Sequence, residues 1–229
     1  MIIGERKPLE EVFSETASFN KILVLGCETC VAVCLAGGRK EAEETAEAIS
    51  LHRKKENKPV EVKAESIQRQ CEYEFIEEIQ DLMKEYDVVL SLACGVGVQT
   101  MTYKCPDTIT LPGLNTKFMG YPLEQGVWLE NCQGCGDCVL DITAGICPIT
   151  RCSKSILNGP CGGSSEGLCE ISTKEKEIEC GWHLIYERLK ELGKADNMMK
   201  LQPYKNWSVA FDGGPGKIVR EDVKIVQGE

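Results

Sequence analysis

Fourteen of the 229 residues are cysteines, and they fall in groups rather than at random. Eight lie between Cys132 and Cys180: Cys132, Cys135, Cys138, Cys147, Cys152, Cys161, Cys169 and Cys180. Glycines and prolines are threaded between them, and the apolar runs are short. A segment of this kind cannot bury enough aliphatic surface to hold itself together and needs covalent or metal staples. Cys132-x2-Cys135-x2-Cys138 has the opening spacing of a ferredoxin-type iron–sulfur motif, and Cys147-Pro148 matches the cysteine–proline that closes it. The gap between Cys138 and Cys147 is longer than in the bacterial ferredoxin run, so a simple ferredoxin repeat is excluded. Eight thiols divide into two four-thiolate sites. The stepped triplet favours an iron–sulfur cubane; the looser set Cys152, Cys161, Cys169 and Cys180 suits zinc as well.

A second group sits in the first half, with Cys27, Cys30 and Cys34 at short spacings, Cys71 and Cys94 further on, and Cys105 alone before Pro106. The triplet reads as metal-binding, with Cys94 or Cys71 as the fourth ligand and both left open. Cys105 reads as a buried spare thiol. Of the two histidines, His52 sits among lysines at a helix end and is expected to be solvated. His183 follows Cys180 and is expected to be structural, since thiols are plentiful. No nucleophile–base constellation and no local pair of carboxylates stands out, so no catalytic residue is assigned.

Composition narrows the context. A formal charge of −10 argues against nucleic acid as a partner. The opening residues mix charges and resemble neither a secretory signal nor a membrane anchor, and no apolar run approaches a membrane span. A cytoplasmic location is expected, where thiols stay reduced and clustered cysteines mean metal rather than disulfides.

Strands and helices must position these thiols. Residues 21–25 form a continuous apolar run, as in a strand buried on both faces, and 59–64, 87–92 and 108–111 read as further strands. Residues 39–55 carry a helical pattern with acids early and bases late. Residues 72–86 read as a second helix, and a short one follows Gly97. Strand–helix alternation predicts an α/β fold: a Rossmann-like parallel sheet domain over 20–115, after an N-terminal arm or lead-in helix at 1–19. Ligands of such sheets gather beyond the carboxyl ends of the strands. Here Cys27, Cys71 and Cys94 follow three successive strands, so thiols stand where a nucleotide fold keeps its glycine-rich turn. The pair Gly95 and Gly97 is too little for a phosphate loop. Residues 112–131 read as a connector, with Phe118, Tyr121 and Trp128 as packing residues. The cysteine-rich module occupies 116–195 and ends in a helix at 182–192, stopped by Gly193. A tail at 196–229, containing Trp207 and Phe211, wraps this chain or a partner.

Taken together, Gly26-Cys27-x2-Cys30-x3-Cys34, the run from Ala93 to Gln99, Cys132-x2-Cys135-Gly136-Asp137-Cys138 and the hexapeptide from Asn158 to Gly163 resemble a known family. It is the methylenetetrahydrofolate reductase C-terminal family, the cysteine-rich small subunit beside the flavin-containing reductase of acetogenic bacteria. The resemblance runs from Ile22 to about Gly193. It implies an iron–sulfur electron-transfer subunit with two or three [4Fe-4S] clusters, zinc being an alternative at one four-cysteine site. It implies a flavin-containing methylenetetrahydrofolate reductase as partner, with FMN or FAD and the folate site there and not here. Ferredoxin or another donor subunit would supply electrons. A zinc-stapled scaffold without redox chemistry is the competing expectation.

Overall fold

The structure is a computed structural model that describes residues 1–210, 214–220 and 222–223. The expectation placed on Phe211 lies outside the described residues. The chain divides into two compact units, Met1–Glu130 and Asn131–Glu229.

In the first unit β1 (Ile2–Arg6) and α1 (Leu9–Thr16) precede the central strand β2 (Lys21–Cys27). A four-residue helix α2 (Cys30–Val33) interrupts the loop to α3 (Arg39–Lys55), whose bounds are those expected. Then come β3 (Glu61–Ile67), α4 (Tyr73–Glu77), α5 (Gln80–Met83), β4 (Val88–Leu92), α6 (Gly95–Lys104) and β5 (Thr110–Pro112). Strands β3, β2, β4 and β5 lie side by side in that order, all parallel.

Side-chain alternation along β2 explains the layering. Ile22 and Val24 point into one core with Ala42, Ala46 and Ile49 of α3, whereas Leu23 and Leu25 point into another with Ile76, Met83 and Met101. Helices therefore cover both faces of the sheet, as the apolar run at 21–25 required. The helix expected over 72–86 is broken into two short pieces, yet its inward residues Ile76, Ile79 and Met83 are buried as the periodicity demands.

Two segments differ from expectation in kind. The N-terminal arm contributes β1, which pairs antiparallel with β6 (Leu114–Glu124). The supposed connector is itself sheet, because β6 and β7 (Val127–Cys132) complete a three-stranded sheet in the order β1-β6-β7. Residues 125 and 126 turn between them, with Gly126 at φ +88° where a side chain would be strained. Gly120 and Pro122 looked like loop punctuation, and sheet pairing overrode them. Phe118 and Trp128 pack against the first core, while Tyr121 is exposed.

The second unit has little regular structure: α7 (Pro148–Arg151), α8 (Gly181–Glu191) and two 3₁₀ turns, Ala195–Met199 and Trp207–Val209. Its core is small, built on Cys180, Trp182, Ile185 and Leu189. Gly193, at φ +65°, ends α8 as expected. Among the described residues no helix is long and apolar enough to cross a membrane.

Candidate metal centres

Parallel register carries three thiols to one edge of the first unit. Cys27 pairs with Ile67 and Gly26 with Leu92, so β2, β3 and β4 end level with one another. Cys27 closes β2, Cys71 follows β3, and Cys94 follows β4 as the N-cap of α6. Their thiols are close enough to feel one another's charge: burial pushes Cys71 up, and Cys27 and Cys94 push it further. Arg69, held above its ordinary value first by Glu72, also senses Cys71 and Cys30. The structure thus gathers Cys27, Cys71 and Cys94, with Cys30 at the start of α2 nearby.

Cys34 lies beside Cys30, whose charge it feels. Its thiol donates to the carbonyls of Cys30 at 3.1 Å and Ile2 at 3.4 Å, and burial raises it above the ordinary thiol value. It packs in the core against β1.

Gln70 braces this edge, and sequence reasoning missed it among polar neighbours. Fully buried, it donates to the carbonyls of Leu25 at 2.9 Å and Gly26 at 3.1 Å and accepts from Ser91 Oγ at 2.6 Å. Its amide ties the loop bearing Cys71 to the ends of β2 and β4. No periodicity or motif signals such a residue.

In the second unit the loop from Cys132 to Cys138 turns through two left-handed glycines, Gly134 at φ +66° and Gly136 at φ +80°. The Gly134 amide donates to Cys132 Sγ at 3.3 Å, and Cys135 Sγ lies 3.8 Å from the Asp137 carbonyl. Cys147 caps α7, with Pro148 as its first residue. Thr150 of that helix reaches the Asn131 carbonyl at 3.3 Å, which sets α7 beside the start of the loop.

The other four thiols come together. Cys152, Cys161, Cys169 and Cys180 line one small cavity with Lys154, Ser164 and Trp182. A bridge between Leu168 and Glu179 sets Cys169 and Cys180 on neighbouring backbones. Ser153 Oγ lies 3.6 Å from Cys169 Sγ, and Lys154 Nζ lies 4.0 Å from Cys161 Sγ. Burial opposes ionisation of Cys180, yet hydrogen bonds from Ser164 and the His183 and Trp182 amides outweigh it, leaving the thiol below its ordinary value. Cys180 also N-caps α8, whose dipole favours a thiolate there.

The hexapeptide ending at Gly163 is shaped by this cavity. A side chain on Gly159 would sit 2.3 Å from the Trp182 ring, and one on Gly163 would run into Glu170. Trp182 in turn donates to the Ile156 carbonyl at 2.8 Å. Asn158 clamps the backbone of Gln202, donating at 2.8 Å and accepting at 2.7 Å.

Among the described residues no group of three or more His, Cys, Asp or Glu side chains is arranged to hold a metal ion. The donor chemistry of the cavity nonetheless suits a thiolate-bound group: four thiols, one drawn towards thiolate, with hydroxyl and ammonium donors alongside. Cys105 is buried in the second core among Met101 and its neighbours, apart from these groups. The His183 side chain is exposed beside Gly167; it is its backbone amide that serves Cys180. His52 is not simply solvated: its ring stacks on Phe13 with centroids 4.0 Å apart.

Residues 111–208 match the family described as Methylene-tetrahydrofolate reductase C terminal. The match takes in all eight cysteines from Cys132 to Cys180 and stops short of the sheet-edge group, so it is narrower than the resemblance drawn from the sequence. No curated protein and no solved structure matches the chain.

Proposed function

Taking residues 111–208 as a segment of the methylene-tetrahydrofolate reductase C-terminal family, we propose that the chain is an iron–sulfur subunit serving a flavin-containing methylenetetrahydrofolate reductase. The observation that carries this reading is the cavity walled by Cys152, Cys161, Cys169 and Cys180, with Cys180 biased towards the thiolate that binds metal. Cys132, Cys135, Cys138 and Cys147 form the second ligand set of the segment. At the sheet edge Cys27, Cys30 and Cys34, with Cys71 or Cys94, form a third. A bound [4Fe-4S] cluster supplies one-electron redox capacity, whereas zinc in the same thiolates supplies only structure.

The chain's own residues hold these groups. Cys147 and Cys152 flank α7, which at 1.5 Å per residue sets one cysteine of each set ~7.5 Å apart along its axis. That proximity suits passage of electrons between them. The Gly134 amide, Ser164 and the amides that open α8 direct N–H and O–H groups at sulfur, the means by which a protein sets potential. Electrons would come from ferredoxin or another donor subunit and leave for the flavin, which with the folate site belongs to the partner.

Iron, acid-labile sulfide and zinc in anaerobically purified protein test the reading. A brown protein whose broad absorbance is bleached by dithionite supports it. A colourless protein with stoichiometric zinc refutes electron transfer and leaves a stapled scaffold.

A further inference from the structure

The tail beyond α8 folds back onto the cysteine module and carries a buried cation to it. Asn197 donates to the Ile142 carbonyl at 3.1 Å, and Asn158 clamps Gln202. Further on, a side chain at Gly136 would meet the Val209 carbonyl at 2.9 Å, so the strap lies directly on the loop between Cys135 and Cys138. Between these anchors Lys205 points inward, its side chain only 2% exposed. Its ammonium donates to the Asp137 carbonyl at 2.6 Å. Cys135 Sγ lies 3.8 Å from that same oxygen, so ammonium and sulfur are no further apart than those two legs allow.

A buried ammonium is costly unless a negative charge compensates it. Asp137 is a thin counter-charge: its carboxylate is 3.7 Å away and its side chain is 66% exposed, where solvent weakens the attraction. The carbonyl is neutral and takes one of three N–H donors. The Trp207 ring, its centroid 5.8 Å from the ammonium, adds a cation–π contact but no full charge. Among the described residues no further counter-charge accompanies it, and an anionic group held on the Cys132, Cys135 and Cys138 thiolates would provide one. We propose that Lys205 is the fixed counter-cation of that group, delivered by the tail to stabilise its reduced state. The inference rests on the iron–sulfur reading above, and Lys205 acts as a positioning and tuning residue. Reduction adds negative charge beside the ammonium, so removing the cation lowers the reduction potential.

Potentiometric titration of the anaerobic full-length protein, followed by electron paramagnetic resonance, tests this. The signal that Cys135→Ser abolishes identifies the cluster to be followed. Lys205→Met is expected to shift its reduced-to-oxidised ratio at a fixed poise at least tenfold towards oxidised, about 59 mV for a one-electron couple. Lys205→Arg, which keeps the charge, should stay near wild type. If Lys205→Met instead sheds that cluster's iron while Lys205→Arg retains it, charge compensation is again the cause. An unchanged potential in Lys205→Met, or equal loss of iron in both variants, overturns the inference and leaves a purely structural strap. Wild-type protein without iron overturns it together with the reading beneath it.

Discussion

Replacing Gln70 by alanine isolates the bracing of the sheet edge from any bound group. The substitution deletes three hydrogen bonds, to the Leu25 and Gly26 carbonyls and from Ser91 Oγ, at a site without solvent. At roughly 1 kcal/mol net apiece, the loss is about 3 kcal/mol, and more if the Ser91 hydroxyl proton is left buried without an acceptor. Since about 1.4 kcal/mol is a factor of ten, amides of β2 and β4 that open only with the whole unit should exchange roughly a hundredfold faster. Hydrogen–deuterium exchange on peptides covering those strands, in metal-free protein, reads this directly. Ser91→Ala should cost less alone, and in the double variant the two losses should fall short of additive by about 1–2 kcal/mol. Acceleration below tenfold, or additive effects, would refute the claim that Gln70 ties β2, β4 and the Cys71 loop into one unit.

Other perturbations probe other links. Cys105→Ser should leave metal content unchanged while lowering stability by about 1–2 kcal/mol, because a hydroxyl replaces a thiol in an apolar core; metal analysis and urea unfolding check it, and any loss of metal sinks the assignment of a spare cysteine. Gly37→Ala would set a methyl 2.0 Å from the Leu92 carbonyl, so the loop holding Cys30 must move; a fall of about 3 kcal/mol by denaturant unfolding is expected. Asp87 accepts from the Asn20 and Lys21 amides, which hold its carboxyl below the usual range. A depressed folded value stabilises above the unfolded pKa near ~3.9 and loses that stabilisation as pH falls through the folded one. Asp87→Asn should therefore flatten the acid limb of stability measured against pH, and an unaltered limb would count against the contact.

Much of the molecule was readable along the chain. The apolar run in β2 and the charge gradient of α3 are local patterns, set by burial on two faces and by the helix dipole. The cysteine spacing likewise showed where thiols recur at short intervals. What spacing could not supply was grouping. Parallel register, not sequence distance, brings Cys71 and Cys94 together beside Cys27, while Cys34 in the same local triplet turns to the backbone of β1. The sheet β1-β6-β7 was hidden because its pairing joins the first residues to a stretch more than a hundred positions later, and its glycines and prolines imitate a loop. Gln70 and Lys205 are polar residues in polar surroundings, unremarkable until folding strips them of water. Chain order settles the kinds of chemistry available, since side-chain type and local period are written there. Only the fold decides which groups lose solvent together, because desolvation depends on neighbours that arrive from elsewhere in the chain.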